Sequence, residues 1–232
     1  MRDVLARGLP ALGVAPGRRE MLIDFSSLVL EKNQVMNLTA ITEPGEFAAL
    51  HLLDSLCLLP LADMAGKSVV DVGTGAGFPG VPLAIALPEC HVTLLDSLNK
   101  RIEFLREACG QLGLDNVSCV HARAEEFAAS HREQFDFAVS RAVADLPVLC
   151  ELCLPLVKAG GRFLAMKSSH TEEEIARAKD AISLLGGKIV QVSDYTIPTT
   201  EVVHRVVIVE KLSPTPKKYP RRFAQIKKQP LG

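Results

Sequence analysis

The sequence lacks a long apolar run and lacks a recognisable secretory signal. One of its longest apolar runs, residues 81–87, is far shorter than the about 20 residues that a membrane-spanning helix needs. The chain does not open with a basic segment followed by an apolar stretch, as a signal peptide would. We therefore expect a soluble, cytoplasmic protein that has no membrane partner.

Cysteines are few and scattered, and their spacing favours neither a disulfide framework nor a metal site. The chain has six cysteines, of which Cys150 and Cys153 are separated by two residues. That pair lies in a leucine-rich stretch typical of a helix, and no second pair accompanies it. In a cytoplasmic protein we expect such cysteines to be reduced, buried thiols, and we predict no bound metal.

The pattern of apolar residues predicts an α/β fold preceded by helices. At 232 residues, 48% apolar and 23% charged, the chain can form one sizeable core. Residues 1–65 have helical periodicity, and from residue 67 short apolar strands alternate with amphipathic helices. This alternation is typical of a doubly wound parallel sheet with helices on both faces. The predicted strands are 68–72, 91–95, 117–120, 135–139 and 162–166, followed by an antiparallel closing pair at 188–192 and 204–209.

Positive charge is scarce in most of the chain and concentrated at its C-terminal end. Residues 211–232 contain seven basic residues and no acidic one, whereas the other 210 residues carry a net charge of −8. Tyr219, Pro220 and Phe223 lie among these charges, a mixture typical of segments that contact a nucleic-acid backbone and stack on bases. A solvated tail is the alternative interpretation, and this stretch is also the one candidate for disorder.

The stretch 69–80 is the most informative part of the sequence. An apolar, β-branched run ends in Asp71, and glycines follow at Gly73, Gly75 and Gly77. Glycines allow a positive φ and a close approach of the backbone to a ligand, and a helix that starts just beyond adds free N–H groups. The stretch therefore predicts a loop that holds a nucleotide-like ligand.

Two cofactor classes compete for this loop. Residues 75–80 match G-x-G-x-x-G, which is the fingerprint of a dinucleotide site. However, Gly73 already ends the strand, and a carboxylate at Asp71 would repel a pyrophosphate. The D-x-G-x-G-x-G pattern instead resembles motif I of class I S-adenosylmethionine methyltransferases, whose cofactor carries a sulfonium and an ammonium group. A nicotinamide-dependent oxidoreductase and a purely structural turn are the alternatives.

Polar residues at the ends of the other strands extend the predicted site, because ligands bind at the carboxyl ends of strands in such sheets. Asp96 follows the second strand and can accept both ribose hydroxyls; a helix N-cap is the alternative. Ala124 and Glu125 follow the third strand and suit an adenine edge, unless Glu125 only stabilises a helix start. Arg141 ends the fourth strand and suits a phosphate, a carboxylate or a guanine edge. Lys167, after the fifth, suits a phosphate or simply solvent.

The motifs that accompany two common kinds of methylation are missing after the fourth strand. Enzymes that act on exocyclic amines usually place Asn or Asp, two prolines and an aromatic residue there, and cytosine-C5 enzymes usually place Pro-Cys. The residues present, 139–142, match neither pattern. A ring nitrogen such as guanine N7 has no proton to lose, so methyl transfer to it depends on alignment and needs no general base. We therefore expect no general base, and the sequence identifies no catalytic residue.

Several blocks together resemble the RsmG (GidB) family of bacterial methyltransferases, which act on N7 of a guanine in small-subunit ribosomal RNA. The blocks are spread over nearly the whole chain, at residues 37–41, 51–56, 71–83, 94–101, 123–127, 140–143 and 217–221. The resemblance implies a Rossmann-like class I methyltransferase sheet, S-adenosylmethionine as the cofactor and small-subunit ribosomal RNA as the partner, either free or within the ribosomal subunit. It divides the chain into a helical extension (1–65), a methyltransferase domain (66–211) and a basic tail (212–232).

The resemblance also implies which residues contact the cofactor and the RNA. It implies cofactor contacts from Gly73, Phe78, Ala124, Glu125 and Arg141, to which strand-end chemistry adds Asp71, Gly75 and Asp96. The candidate RNA contacts are Asn37, His51, Lys100, Arg101, Arg123, Lys167, Lys217, Lys218, Arg221 and Arg222.

The chain departs from the family pattern at two positions. Leu50 stands where many members have Arg, and Ser168 stands where many have Gly. Loss of an arginine would remove one RNA phosphate contact and leave cofactor binding unchanged. A methyltransferase acting on another RNA, a protein or a small molecule, and a non-enzymatic RNA-binding module with the same fold, are the remaining alternatives.

Overall fold

The computed structural model describes residues 1–141 and 144–232, which form one α/β sheet structure covered by helices. Over these residues the strands are β1 (Ser68–Val72), β2 (His91–Asp96), β3 (Val117–His121), β4 (Phe135–Arg141), β5 (Val157–Ser168), β6 (Gly187–Thr196) and β7 (Val203–Lys211). The α-helices are α1 (Arg2–Gly8), α2 (Arg19–Met36), α3 (Pro44–Phe47), α4 (Asp54–Leu56), α5 (Gly80–Ala86), α6 (Asn99–Gln111), α7 (Ala124–Ser130), α8 (Leu146–Cys153), α9 (Glu172–Leu184) and α10 (Phe223–Lys228).

The seven strands of the described chain form one sheet in the order β3-β2-β1-β4-β5-β7-β6. Strands β1 to β5 are parallel, and β7 runs antiparallel to both β5 and β6. The predicted doubly wound sheet and its antiparallel closing pair are therefore confirmed. The strand order reverses between β1 and β4, which creates a crevice at the carboxyl ends of these strands.

Both faces of the sheet are covered, because the strands are apolar on both sides. One core cluster joins the sheet to the first 65 residues and to α5 and α6, with Phe25 and Leu52 fully buried. The other joins the sheet to α7, α8, α9 and α10. The N-terminal extension therefore shares its core with the sheet, while the domain boundaries at 65 and 211 remain predictions.

Within the predicted helical extension, residues 43–61 are mostly helical, but they do not form a regular α-helix. Between α3 and α4 the backbone winds as a π-helix over Ala48–Leu53, and a short 3-10 turn follows at Leu59–Leu61. Such wide turns are uncommon and often occur at functional sites. Here the turn carries His51 towards the carboxyl ends of the strands.

The C-terminal stretch is a correction to the expectation of a disordered or solvated tail. Tyr219 and Ile226 are buried, and Ile226 belongs to the second core cluster. Lys211, at the end of β7, is also fully buried and donates from Nζ to Glu133 Oε1 and to the carbonyl of Leu154. Apolar side chains within the basic stretch thus attach it to the protein.

The structure also describes the length of the helices, the state of the cysteines and the start of α9. Within the described residues, no helix is both long enough and apolar enough to cross a membrane. All six cysteines are free thiols, and five of them are buried, whereas Cys119 is partly exposed. Thr171 and Glu174 resemble a capping box, but Thr171 makes no capping bond from its side chain and Glu174 turns instead towards Lys167.

Candidate functional site

The glycine loop after β1 adopts the conformation that its sequence predicts. Gly73, Gly75 and Gly77 have φ values of 75°, 60° and 100°, which L-residues with a side chain rarely adopt. A Cβ at Gly77 would lie 2.8 Å from Val81 Cγ2 and 2.9 Å from Leu105 Cδ2, so this position also has no room for a side chain. The loop therefore packs tightly against the helices at Gly77, while Gly73 and Gly75 line the cavity described below.

Asp71 supports this loop from beneath. Its Oδ2 accepts hydrogen bonds from Thr74 Oγ1 at 2.7 Å and from the Gly80 N–H at 2.8 Å, so it joins both ends of the loop. The side chain is fully buried and is absent from the cavity wall described below. Asp71 thus shapes the loop from below, and its predicted contact with the cofactor remains a prediction.

The charge of Asp71 is poorly compensated. Burial raises the pKa of this carboxyl to about 6, against the opposing effect of its bonds to Thr74 and Gly80. Among the described residues, its Oδ1 is a buried oxygen that has no hydrogen-bond donor. The loop therefore rests on a concentrated negative charge, which favours a cation above it.

Asp96 at the end of β2 is the second acidic support of the site. Its Oδ2 accepts from the Gly75 N–H at 3.0 Å, and its Oδ1 accepts from the Leu98 N–H at 2.9 Å. It therefore binds the glycine loop to the start of α6, as an N-cap-like residue would, and it also lines the cavity. Both interpretations from the sequence, ligand contact and local cap, are compatible with this position.

The carboxyl ends of the strands enclose a cavity of about 910 Å³, within the range of ligand sites. Its wall brings together most of the predicted cofactor residues and several charged side chains. They are Gly73, Gly75, Phe78, Asp96, Ala124, Glu125 and Arg141, with Arg101, Arg123, Lys167, His51, Asp54, Glu174, His204 and Phe223 among their neighbours. The predicted site is thus one continuous space.

Arg141 holds one side of this cavity together. Its Nη1 donates to Asp54 Oδ2 at 2.8 Å and to the Leu50 carbonyl at 3.2 Å, while Nη2 lies 3.2 Å from His51 Nδ1. Its guanidinium lies 5.1 Å from the centre of the Phe78 ring. The matching block that contains Arg141 continues to residues 142 and 143, which lie outside the described residues.

Asp54 connects Arg141 to the antiparallel end of the sheet. Its Oδ1 accepts from Tyr195 Oη at 2.8 Å and lies 2.9 Å from His204 Nδ1. Burial opposes its ionisation, but the hydrogen bond from His204 and the charge of Arg141 outweigh that cost and hold the pKa of Asp54 below its usual value. Asp54 therefore stays ionised beside Arg141 although its side chain is almost fully buried.

His51 is a neutral part of the same wall. Burial and the neighbouring Arg141 charge lower the pKa of His51 to about 4. Its ring stacks on Phe78 at 4.8 Å between centroids, and its Nε2 lies 2.7 Å from Thr39 Oγ1. At neutral pH it can offer an aromatic face and a hydrogen bond, but no charge.

The candidate RNA contacts fall into two groups. Arg101, Lys167 and Arg221 already pair with acids of the protein, namely Asp96 at 3.5 Å, Glu174 at 2.5 Å and Glu151 at 2.6 Å. Others are exposed around the cavity or on the C-terminal stretch: Asn37, Lys100, Arg123, Lys217, Lys218 and Arg222. RNA contact remains a prediction for all of them and for His51.

Sequence reasoning missed the residues that reach the site from far along the chain. Asp54 lies one helical turn after His51, within a block that we singled out, and that spacing could have placed both on one face. His204 and Tyr195 belong to strands that appeared to be only structural. Phe223 attracted notice as an aromatic among basic residues, but nothing local indicated that it would line the cavity.

The strand order and the glycine loop at its switch point define a class I S-adenosylmethionine-dependent methyltransferase. TrmN from Thermus thermophilus has a similar structure, with a TM-score of 0.54 and 25% identity over 68% of this chain and 48% of that one. The predicted fold class is confirmed, and S-adenosylmethionine is the cofactor of this class.

The chain belongs to the GidB family, whose model is described as rRNA small subunit methyltransferase G and matches residues 18–203. The ribosomal RNA small subunit methyltransferase G of Alkaliphilus metalliredigens is 46% identical over 98% of both chains. The protein of the same description from Acetivibrio thermocellus is 43% identical over 100% of this chain and 97% of that one. The resemblance drawn from sequence blocks is therefore confirmed.

The residues present fit this cofactor. An acidic wall at Asp96 and a poorly compensated carboxylate at Asp71 suit a ligand with a sulfonium and an ammonium group, whereas they would repel the pyrophosphate of a dinucleotide. The start of α7 at Ala124 and Glu125 adds backbone N–H groups and a carboxylate to the same wall.

Proposed function

We propose that this chain transfers a methyl group from S-adenosylmethionine to N7 of a guanine in small-subunit ribosomal RNA. The observation that carries the proposal is the single cavity in which acidic strand ends lie at one side and Arg141 and His51 at the other. One side suits a cationic methyl donor, and the other suits the anionic backbone or the Hoogsteen edge of a guanine.

In the proposed site, the chain's residues act mainly by positioning. The loop at Gly73, Gly75 and Phe78 holds the methionine end, with Asp71 beneath it. Asp96 accepts the ribose hydroxyls, and Ala124 with Glu125 contacts the adenine. Arg141, fixed by Asp54, lies between the cofactor and the target base.

When held by the glycine loop and Asp96, S-adenosylmethionine would supply an electrophilic methyl group for the N7 lone pair, with its sulfur as the leaving group. N7 of guanine has no proton to lose, so no side chain has to act as a base. This agrees with the state of the wall, since His51 is neutral and Asp54 is held in an ion pair. The protein's contribution is to align the two reactants and to exclude water.

The proposed partner is small-subunit ribosomal RNA, either free or within the subunit, and the proposed compartment is the cytoplasm. Among the basic residues, Lys100 and Arg123 are exposed beside the cavity, and Lys217, Lys218 and Arg222 are exposed on the C-terminal stretch. Together they give an otherwise acidic protein a surface for phosphates.

Transfer of tritiated methyl groups tests the reaction. The substrate is small-subunit RNA from a strain that lacks this gene, offered as free RNA and as intact subunits, and mass mapping locates the product. We expect one N7-methylguanine with the wild-type protein. Transfer to a different base, or none to either substrate, would contradict the proposal.

Variants at the cavity test the assignment of the residues. Asp96→Ala should weaken S-adenosylmethionine binding in calorimetry by about tenfold or more, since it removes a charge-assisted acceptor and a support of the glycine loop. Asp180→Ala, which removes an exposed acid from α9, is the matched control and should bind as the wild type does. Equal binding by both variants would reject Asp96 as a cofactor residue.

A further inference from the structure

The C-terminal stretch reaches the cavity at the end formed by α7. Phe223, the first residue of α10, lines the cavity together with Arg123, Ala124 and Glu125. Its backbone N–H donates to Glu125 Oε1 at 3.3 Å. Its ring lies 5.9 Å from the guanidinium of Arg123. Phe223 is therefore part of the wall, although it lies 98 residues after Glu125.

Phe223 is held in this place by the residues on both sides of it. Arg221 makes a forked pair with the fully buried Glu151, with Nε 2.9 Å from Oε1 and Nη2 2.6 Å from Oε2. Three residues after Phe223, Ile226 is fully buried against the second core cluster. Before it, Arg132 Nη1 donates to the Tyr219 carbonyl at 2.7 Å. A segment fixed at three points can contribute a wall of defined shape.

We propose that Phe223 positions the adenine of the cofactor: its N–H orients the Glu125 carboxylate, and its ring closes that end of the cavity. The inference rests on the proposed function, in which Glu125 contacts the adenine by accepting a hydrogen bond from its exocyclic amine. An orienting bond to one carboxylate oxygen fixes the direction of the other, and an aromatic ring offers contact area at a low cost in entropy. The stretch that carries the basic residues would thus also complete the cofactor site.

Two substitutions separate the contribution of the ring from that of the N–H. Phe223→Ala removes the ring and keeps the N–H. Phe223→Pro removes both, and the backbone accepts it, since proline suits the first position of a helix. The preceding Arg222 has φ −62° and ψ 139°, which is the conformation that a following proline requires. Gln225→Ala, an exposed change in the same helix, is the control.

The measurement is calorimetric affinity for S-adenosylhomocysteine and for S-inosylhomocysteine, in which an oxygen replaces the exocyclic amine. We expect Phe223→Ala to bind both ligands about tenfold more weakly while it retains its preference for the adenosyl compound. Phe223→Pro should in addition lose most of that preference, because Glu125 is no longer oriented. A merely structural role would not change the ratio of the two affinities.

The outcomes keep this inference apart from the proposed function. If both Phe223 variants kept the wild-type affinities for the two ligands and the wild-type ratio between them, the role of Phe223 would be overturned and the cofactor site would stand. Absence of S-adenosylhomocysteine binding in the wild-type protein would overturn the cofactor assignment itself, and this inference with it. Thermal unfolding checks that each variant is folded, and Phe223→Ala alone decides on the ring if Phe223→Pro does not fold.

Discussion

At the scale of single residues, Asp71 shows how this protein uses a carboxylate whose burial is energetically unfavourable. A buried carboxylate with an oxygen that lacks a donor among the described residues is unfavourable, and burial raises its pKa to about 6. Its two hydrogen bonds nevertheless hold the glycine loop closed onto Gly80. The residue that the sequence marked as a ligand contact thus shapes the loop of the candidate site.

The raised pKa of Asp71 predicts a pH-dependent stability. Between pH about 4 and 6 the folded protein keeps a proton that the unfolded chain has lost, so the free energy of unfolding falls as pH rises through this window. Asp71→Asn cannot ionise. The stability of the wild type relative to this variant should therefore fall by about 2–3 kcal/mol from pH 4 to pH 7. Urea unfolding across this range measures it, and a difference that does not change with pH would contradict the assignment.

Gly77 combines a positive φ with a lack of room for a side chain. Gly77→Ala adds a Cβ within 3.0 Å of Val81, Leu105 and Phe25 and also strains a backbone with φ of 100°. We expect a loss of about 2–4 kcal/mol in the free energy of unfolding.

Gly13→Ala is the matched control, since Gly13 has a φ of 69° but no atom within 4 Å of the added Cβ. It should lose only about 1 kcal/mol, from backbone strain alone. Denaturant unfolding compares the two variants, and equal losses would show that the packing around Gly77 adjusts freely.

At the scale of elements, the site depends on pieces that arrive from three parts of the chain. The π-helical turn presents His51, the following helix presents Asp54, and the closing strands present Tyr195 and His204. Arg141 at the end of β4 joins them. The N-terminal helices thus contribute to the wall of the candidate site as well as to the core.

The C-terminal stretch is held to the sheet domain by a buried ion pair. Arg221→Ala would leave the fully buried Glu151 without its partner, and we expect a loss of about 3–5 kcal/mol in the free energy of unfolding. Adding Glu151→Gln removes the unpaired charge and should restore a large part of that loss. Thermal unfolding of the single and double variants checks this. A double variant no more stable than Arg221→Ala would mean that the buried charge is not the cause.

At the scale of the whole molecule, exposed basic residues of the C-terminal stretch give an otherwise acidic protein a positive surface. Truncation at Leu212 would test RNA binding poorly, because it also exposes the surface that Tyr219 and Ile226 cover. Lys217 and Lys218 are exposed, so Lys217→Ala with Lys218→Ala removes charge with little effect on the core.

For this double variant we expect weaker RNA binding and an unchanged midpoint of thermal unfolding. The slope of log affinity against log salt should become shallower by about 1 to 2, since each lost phosphate contact removes a share of the counterion release. Binding to small-subunit RNA across a salt series measures it. Lys179→Ala, an exposed change on α9, is the control and should keep the wild-type slope. An unchanged slope in the double variant would reject the stretch as an RNA contact.

The sequence by itself determined the elements of the fold and the identity of the loop. Strands and helices follow from local periodicity, and Asp71 with Gly73, Gly75 and Gly77 specifies its conformation within seven residues. Parallel strands then bring Asp96, Glu125 and Arg141 to one edge of the sheet. All of these features are local in the chain or follow from the handedness and order of βα units.

Only the tertiary structure decided what each polar group meets. Asp54 meets His204 across 150 residues, Arg221 meets Glu151 across 70, and Phe223 meets Glu125 across 98. Pairing over such distances depends on how whole helices and strands pack, and no local pattern records it. For this reason the sequence showed a basic tail, whereas the structure shows a packed segment that forms part of the cavity wall.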